Sequence, residues 1–374
     1  MFPVAGAPFI GLLYITGIIY IKAESDTTKD HYAAFPCPFL PPSKHIPTSV
    51  HKLRPGDIQV ISALGDSITA GNGIDADTVF GSLIQYRGLS WSIGGDEDYE
   101  KQITLPNILK HYNPKLYGFS TKEGDYEDDD SGYNVARPGA VSGDMREEVN
   151  VLINRMKNDS KVDIDKDWKM VTLFIGSNDI CYYCTSPLMY SSENYTNNIQ
   201  HILDVLKEEL PRTIVNIVPV LNMSSLADLN DYLTCAISHL ALCSCAVYPE
   251  TPDDKEAIIK LNSDYKQGLI DLISTRRYDT TDDFTVVLQP FTLDGDIPRK
   301  PDGEPDFSYF APDCFHFDRK GHTIFARSLW NNMFQPVGFK NTSVTFDDHL
   351  ECPSETHPYI YTHKNSSPTG HTSL

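Results

Sequence analysis

Long apolar segments alternate with amphipathic segments from about residue 56 onward, and this alternation constrains the fold more than any other feature. The apolar segments predict strands over residues 58–64, 168–176, 213–221 and 284–291. The amphipathic segments predict helices over residues 147–158, 195–210, 253–275 and 321–334. Strands that are apolar throughout are buried on both faces, as in a parallel sheet that is covered by helices on both sides. The sequence therefore predicts an α/β fold, a three-layer α/β/α sandwich around a mostly parallel sheet.

Two turns of small and polar residues directly follow predicted strands. They are "GDS" at residues 65–67 and "GSND" at residues 176–179. Sheets of this kind bind ligands beyond the carboxyl ends of their strands, so both turns lie where a site is expected. A loop with an N-capping Asp or Ser is the alternative interpretation of the first turn. Its place at a strand end favours a functional role for Ser67.

A serine hydroxyl is a weak nucleophile, and it needs a base, a group that orients the base, and donors for the oxyanion. Among the twelve histidines, His316 fits best because it lies in a loop before the last predicted helix, three residues after Asp313. A carboxylate at that spacing can bind Nδ1 and leave Nε2 free to face a serine. The alternative is an exposed loop Asp and His. His322 is better explained as a residue at the start of the helix.

Candidate oxyanion donors occur in two further segments. The segment "YNVARPGAVSGDM" contains Gly139 and Gly143, whose backbone N–H groups lie in small-residue turns, and Asn178 directly follows a strand. An Asn at a strand end, taken alone, is usually a turn residue or a helix cap. Asp66 and Asp179 adjoin candidate catalytic residues, and we interpret both as turn or supporting residues.

Four blocks occur in an order that is similar to that of a known superfamily. They are "ALGDSITAGNG", "YNVARPGAVSGDM", "FIGSNDICYYC" and "FSYFAPDCFHFDRKGH". Over roughly residues 56–338 the chain resembles the GDSL or SGNH hydrolases, and within them the phospholipase B-like branch. The resemblance implies a flavodoxin-like sheet, with Ser67 as the nucleophile, His316 as the general base and then acid, and Asp313 orienting His316.

The same resemblance implies an oxyanion hole and an activity. The hole would consist of the backbone amides of Ser67 and Gly143 and the side chain of Asn178, with Gly139 as the alternative to Gly143. The activity would be that of a secreted serine ester hydrolase that cleaves acyl esters of phospholipids and lysophospholipids through an acyl-serine intermediate. A carboxylesterase or lipase acting on short-chain, retinyl or acetyl esters is the alternative within the fold, and an inactive secreted binding protein is the alternative outside catalysis. This chemistry requires no metal and no cofactor.

Eight cysteines, an even number, indicate an oxidising compartment in which most of them pair. For "CYYC" we expect a local disulfide between Cys181 and Cys184 rather than a redox or zinc half-site, because no second C-x-x-C motif is present. The acidic run at residues 123–130 lacks the alternation of a calcium loop and indicates a solvated loop. Five N-x-S/T sequons agree with a secretory route and begin at Asn158, Asn194, Asn222, Asn341 and Asn365.

The ends of the chain differ in composition from its centre. Residues 1–23 begin with a stretch that contains no charged side chain, which predicts a signal peptide, with an uncleaved anchor as the alternative. Residues 24–55 predict an extended Pro-rich lead-in that Cys37 could tie down, and residues 56–340 the catalytic domain. The polar tail at residues 341–374 is expected to pack poorly. The predicted location is extracellular.

The charge balance narrows the range of partners. Asp and Glu outnumber Lys and Arg by 51 to 31, which gives a formal net charge of −20. Such a surface repels phosphate backbones, so the sequence argues against a nucleic-acid partner. Contact with a membrane or micelle would have to be transient, local and apolar. The expected partner is therefore a lipid or another ester substrate, and the sequence leaves the oligomeric state open.

Overall fold

A computed structural model describes residues 35–344 and 346–366 of the chain. The predicted signal peptide at residues 1–23 and the first part of the lead-in therefore lie outside the described residues, as does the end of the tail.

Four parallel strands form the central sheet. They are β1 (Val60–Gly65), β2 (Lys169–Phe174), β3 (Thr213–Val218) and β4 (Phe284–Leu288), which neighbour one another in that order. Beyond β1, isolated parallel bridges join Val60 to Tyr117 and Ala63 to Asn134. These bridges occupy the place of the outer strand beside the first one in a flavodoxin-like sheet, so that strand is reduced here to two contact points. The predicted α/β fold is confirmed.

Nine α-helices occur in the described part of the chain. They are α1 (Ser67–Ala70), α2 (Leu105–Tyr112), α3 (Met145–Asn158), α4 (Ser177–Tyr182), α5 (Ser192–Glu209), α6 (Leu233–Leu242), α7 (Ser244–Val247), α8 (Pro252–Ser274) and α9 (Arg319–Met333). All four predicted strands and all four predicted helices are present, with ends that differ from the predicted ones by at most three residues. Helix α2 was not predicted, and it lies between residues 88 and 135, an irregular region that is rich in Gly, Asp and Tyr.

Successive strand residues point to opposite faces of the sheet, and each face is covered by helices. On one face, Val171 and Val215 pack in a core with residues of α3, α5 and α8. On the other face, Met170 and Ile214 pack with residues of α2 and α9. The three predicted layers are therefore present, with a core on each face of the sheet.

Large aromatic side chains fill the second core. The Trp91 ring meets the rings of Phe174 and Phe325 edge-on, with ring centroids 5.7 Å apart in both pairs. Tyr112 of α2 stacks on Trp330 of α9, also at 5.7 Å. These contacts join the sheet, the helices and the irregular region that follows β1, and so they hold that region at the carboxyl ends of the strands.

The two ends of the described chain meet on the outer side of this core. Cys37 forms a disulfide with Cys352, so the lead-in is bonded to the tail. Leu350 and Ile360 are buried, and the Ile360 N–H donates to the Leu53 carbonyl at 2.9 Å. The expectation of a poorly packed tail is therefore wrong for the segment around Leu350 and Ile360, because a few apolar side chains and one cross-link suffice to fix a segment that is polar on average, whereas residues 341–344 and 346–349 are mostly exposed.

We expect the double variant Cys37→Ser/Cys352→Ser to lower the free energy of unfolding by about 2–5 kcal/mol, because the unfolded chain loses a very long closed loop. Urea unfolding followed by fluorescence would measure this change. Glu355→Ala, at an exposed position in the same segment, is the matched control and should have little effect. An unfolding free energy equal to that of the wild type would show that the disulfide does not stabilise the fold.

Candidate active site

Ser67 lies at the carboxyl end of β1, as the first residue of the short helix α1. Asp66 is the N-cap of this helix, and its Oδ1 accepts a hydrogen bond from the Ile68 N–H at 3.0 Å. Gly65 precedes Asp66 and has φ +158, and a Cβ on Gly65 would lie 2.5 Å from the Phe174 carbonyl oxygen. Only glycine allows β1 and β2 to approach this closely, so the turn that presents Ser67 depends on Gly65.

The Ser67 hydroxyl is hydrogen-bonded to His316, as the sequence predicted. His316 Nε2 lies 2.8 Å from Ser67 Oγ, and His316 Nδ1 lies 2.6 Å from Asp313 Oδ2. All three side chains are almost fully buried. The distances are those of a nucleophile, a base and an orienting carboxylate in hydrogen-bond contact.

The Asp313 carboxylate is held in its ionised form. Its Oδ1 accepts hydrogen bonds from the backbone N–H groups of Phe315 and His316. Burial alone raises the pKa of Asp313, but the hydrogen bonds and the charge of His316 outweigh it and keep the pKa below its ordinary value. An ionised Asp313 fixes the imidazole and stabilises its protonated form.

A disulfide and a second histidine fix the loop that carries Asp313 and His316. Cys314 has φ 57 and is bonded to Cys235 of α6. His239 of the same helix donates from Nε2 to the Cys314 carbonyl oxygen at 2.9 Å. This support could not be predicted from the sequence, because nothing in the pattern of α6 relates that helix to a loop more than 70 residues away.

The neighbouring His322 does not take part in this hydrogen-bond chain. It lies within α9, where its Nδ1 accepts a hydrogen bond from the Trp91 N–H at 3.1 Å. Burial, together with the nearby His316, lowers the pKa of His322 to about 3. A neutral, fully buried imidazole bonded to the backbone is a structural residue, which agrees with its interpretation from the sequence.

Hydrogen bonds connect the two segments that carry the predicted oxyanion donors, the turn around Gly143 and the start of α4 at Asn178. Asn178, in the first turn of α4, donates from Nδ2 to the Ala140 carbonyl oxygen at 2.9 Å. Ser142 donates to the Asp179 carboxylate from its backbone N–H at 2.8 Å and from its hydroxyl at 2.5 Å. Gly143 follows Ser142 directly in an exposed turn. The turn and the start of α4 are therefore tied together at the carboxyl end of β2.

The segment from Arg137 to Gly143 is also hydrogen-bonded to the turn that carries Ser67. The Arg137 N–H donates to the Gly65 carbonyl oxygen at 3.1 Å. Gly139 lies two residues further along, with φ 79 and no atom within 4 Å of a Cβ built on it. The structure thus joins Ser67, His316 and Asp313 by direct hydrogen bonds, and it places Asn178, Gly143 and Gly139 on segments that are bonded to this centre.

Buried carboxyl groups surround the site, and one of them was missed from the sequence. Glu148 of α3 accepts hydrogen bonds from the Gly65 N–H at 3.0 Å and the Arg137 N–H at 3.2 Å. Its complete burial raises its pKa well above the ordinary value. Burial likewise raises the pKa of both Asp66 and Asp179 to about 6. In the sequence, Glu148 looks like an ordinary polar residue of an amphipathic helix.

The predicted local disulfide between Cys181 and Cys184 is wrong. Cys181 is bonded to Cys243 and Cys184 to Cys245, with Cα–Cα distances of 4.4 and 5.7 Å. Helix α4 and the turn after it pack against α7, and this packing brings each cysteine to a partner about 60 residues away. With the two disulfides described above, all eight cysteines are paired.

Comparison with known proteins identifies the family. The family model "GDSL-like Lipase/Acylhydrolase" matches residues 61–329, which include Ser67, Asn178, Asp313 and His316. This chain belongs to the GDSL-like lipase/acylhydrolase family. The resemblance to GDSL hydrolases that the four sequence blocks indicated is thereby confirmed.

Curated relatives support the phospholipase B-like branch of this family. The chain is 44% identical over 338 residues to the human protein "Phospholipase B1, membrane-associated", a match that covers 88% of this chain and 23% of that protein. The mouse protein of the same name is 42% identical over 341 residues, which cover 89% of this chain and 23% of that protein. The chain thus spans about a quarter of the length of these relatives.

A solved structure with a similar chain course is the acetylxylan esterase from Geobacillus stearothermophilus. It is 13% identical to this chain, with a TM-score of 0.38, and the match covers 75% of this chain and 96% of that one.

We expect Gly65→Ala to lower the free energy of unfolding by about 1–3 kcal/mol, because the added methyl group collides with the Phe174 carbonyl oxygen. Gly303→Ala is the matched control. Gly303 has φ +90 but no atom within 4 Å of a Cβ, so it reports backbone strain without a collision. Urea unfolding of both variants would separate the two effects, and equal losses would rule out close packing as the reason for glycine at position 65.

Proposed function

We propose that this chain is a serine ester hydrolase that cleaves acyl esters of phospholipids and lysophospholipids. The observation that carries the proposal is the buried hydrogen-bond chain from Ser67 Oγ through His316 to Asp313, with distances of 2.8 and 2.6 Å. Family membership supports the reaction class, and the names of the relatives support the lipid substrate.

In the first half of the reaction, Ser67 Oγ attacks the carbonyl carbon of the ester while its proton moves to His316 Nε2. The new Oγ–C bond makes the carbonyl oxygen an oxyanion. The imidazolium gives its proton to the alcohol oxygen as the C–O bond breaks, and the acyl group stays on Ser67. The ionised Asp313 stabilises the imidazolium during this step.

In the second half, water attacks the acyl-serine while His316 takes a proton from it. The second tetrahedral intermediate collapses, the proton returns to Ser67 Oγ, and the fatty acid leaves. The reaction therefore consumes one ester and one water, and it releases one alcohol and one acid.

Backbone and side-chain donors would stabilise both oxyanions. The Ser67 N–H lies in the first turn of α1, where a backbone N–H has no acceptor within the helix. Asn178 Nδ2 has one hydrogen bond to the Ala140 carbonyl, which orients the amide and leaves its second N–H for an oxyanion. Gly143 would supply the third donor from its exposed turn, with Gly139 as the alternative.

We also propose that the chain works outside the cytosol and meets its substrate at a lipid surface. Four disulfides agree with an oxidising compartment, and Asn158, Asn194 and Asn341 of the five sequons are exposed. In the part of the chain that the structure describes, no helix has both the length and the apolarity to cross a bilayer. A transient contact would use exposed apolar side chains such as Leu233 and Leu240 of α6, a helix without Asp, Glu, Lys or Arg.

We expect Ser67→Ala to reduce hydrolysis of lysophosphatidylcholine to the background rate, because the variant lacks the oxygen that attacks the ester and carries the acyl group. Asn178→Ala should lower kcat by about 10²–10³ and retain measurable activity, because one of several oxyanion donors is lost. Release of fatty acid from the substrate measures both effects. Ser274→Ala and Asn154→Ala, at exposed helix positions, are the controls.

The proposed mechanism, the general carboxylesterase and the inactive binding protein predict different results in these assays. Activity of Ser67→Ala near the wild-type level would overturn the proposed mechanism. Hydrolysis of a short soluble ester without hydrolysis of lysophosphatidylcholine would support the general carboxylesterase. A wild-type chain that binds lipid but hydrolyses neither substrate would support the inactive binding protein.

A further inference from the structure

In the described part of the chain, the outer edge of β1 is paired through isolated bridges rather than by a strand, and a buried carboxylate completes it next to Ser67. Residues two apart along a strand direct their N–H groups to the same edge. On this edge the Ala63 N–H donates to the Tyr133 carbonyl oxygen at 3.1 Å. The next N–H, that of Gly65, donates to Glu148 Oε2 at 3.0 Å. A side chain of α3 therefore takes the place of a strand carbonyl, directly before the turn that presents the nucleophile.

The second carboxylate oxygen of Glu148 is bonded to the segment that leads to the candidate oxyanion donors. Oε1 accepts a hydrogen bond from the Arg137 N–H at 3.2 Å, and the same N–H also donates to the Gly65 carbonyl oxygen at 3.1 Å. Gly139 and Gly143, the alternative backbone donors, follow Arg137 within the same segment. One side chain therefore bridges the turn that carries the nucleophile and the segment that carries a candidate oxyanion donor.

The bridge uses a carboxyl group although its burial is costly. Glu148 is fully buried, and in the described part of the chain no Lys, Arg or His side chain donates a hydrogen bond to it. The Arg137 guanidinium binds the exposed Glu147 instead. A single backbone N–H could be satisfied by a neutral side chain at lower cost. A carboxylate, however, offers two acceptor oxygens, whereas the amide of Gln offers one acceptor and one donor. The choice of Glu is therefore explained by the need to bond two segments at once.

We propose that Glu148 is a positioning residue for the hydrolysis: it sets the distance between Ser67 Oγ and the backbone oxyanion donor of the neighbouring segment. The inference rests on the proposed function and extends it to a group that lies too deep to contact substrate. Its effect reaches the reaction through the two backbone N–H groups that it accepts. A misplacement of about 1 Å in such a constellation costs roughly 100-fold in rate. Because the oxyanion forms only as the reaction proceeds, the loss falls on kcat rather than on KM.

We expect Glu148→Ala to lower kcat for the soluble ester p-nitrophenyl butanoate by about 100-fold and to leave KM within about twofold of the wild-type value. Glu148→Gln has nearly the same size and keeps one acceptor oxygen, so it should lower kcat by about tenfold only. Steady-state kinetics measure both effects. If Glu148→Ala folds poorly, Glu148→Gln carries the test, and a kcat equal to that of the wild type in the folded variant would overturn the proposal.

Two neighbours of Glu148 on α3 supply matched controls. Glu147→Ala removes an exposed carboxylate that binds the Arg137 side chain, and it should leave kcat and KM unchanged. Val149→Ala removes apolar contacts from the core and lowers stability, but Val149 has no side-chain hydrogen bond to either segment. Its kcat should therefore stay near the wild-type value. An equal loss of kcat in Val149→Ala and Glu148→Ala would show that Glu148 acts only through the stability of the fold, and this result would overturn the proposal.

Amide hydrogen exchange tests the bridge without catalysis and separates the two proposals. Exchange of the peptide that contains Gly65 should be faster in Glu148→Ala than in the wild type, and it should be unchanged in Glu147→Ala. Hydrolysis that depends on Ser67 but keeps its kcat in Glu148→Ala would reject the positioning role and retain the hydrolase. A wild-type chain without hydrolysis that depends on Ser67 would reject the proposed function. Unchanged exchange in Glu148→Ala would reject the bridge whatever the activity.

Discussion

The hydrogen bond between Ser67 Oγ and His316 Nε2 joins two residues that lie 249 positions apart in the chain, and the rest of the site depends on it. It requires that the turn after β1, at one edge of the four-stranded sheet, meet a loop that follows β4 at the opposite edge. The close approach of Gly73 to Ala311, where a Cβ would lie only 2.9 Å from the Ala311 side chain, helps to bring the two together. The disulfide from Cys314 to α6 fixes the loop from its other side.

Three carboxyl groups near this hydrogen bond are buried, and burial of a carboxyl group costs free energy. Glu148, Asp66 and Asp179 all lie within the protein, and burial raises the pKa of each carboxyl group. Burial of a carboxyl group is tolerated only where hydrogen bonds satisfy its oxygens, and here backbone N–H groups of the turns that form the site supply those bonds. The carboxyl groups therefore fix the positions of the turns at Gly65, Arg137 and Ser142. We infer that burial of these carboxyl groups lowers the stability of the fold. In return, their hydrogen bonds hold Ser67 and the candidate oxyanion donors in place before substrate binds.

Local sequence patterns predicted much of this arrangement. The strands and long helices follow from hydrophobic periodicity, and Ser67 and Asn178 could be singled out because they follow strands of a parallel sheet. His316 could be selected because Asp313 precedes it at a useful spacing. Features set by tertiary packing could not be predicted in this way. The partners of Cys181 and Cys184, the buried Glu148 and the ordered segment around Ile360 all depend on which distant elements meet, and no local periodicity encodes that choice.

Labelling with a fluorophosphonate, followed by mass spectrometry of the peptides, tests the pairing of residues 67 and 316 most directly, because the reagent bonds only to an activated hydroxyl. We predict a single adduct on the peptide that contains Ser67, and a labelling rate at least about 100-fold lower in a folded His316→Ala variant. An adduct on a different residue, or labelling of Ser67 at the same rate without the imidazole, would contradict a catalytic centre at this place in the fold.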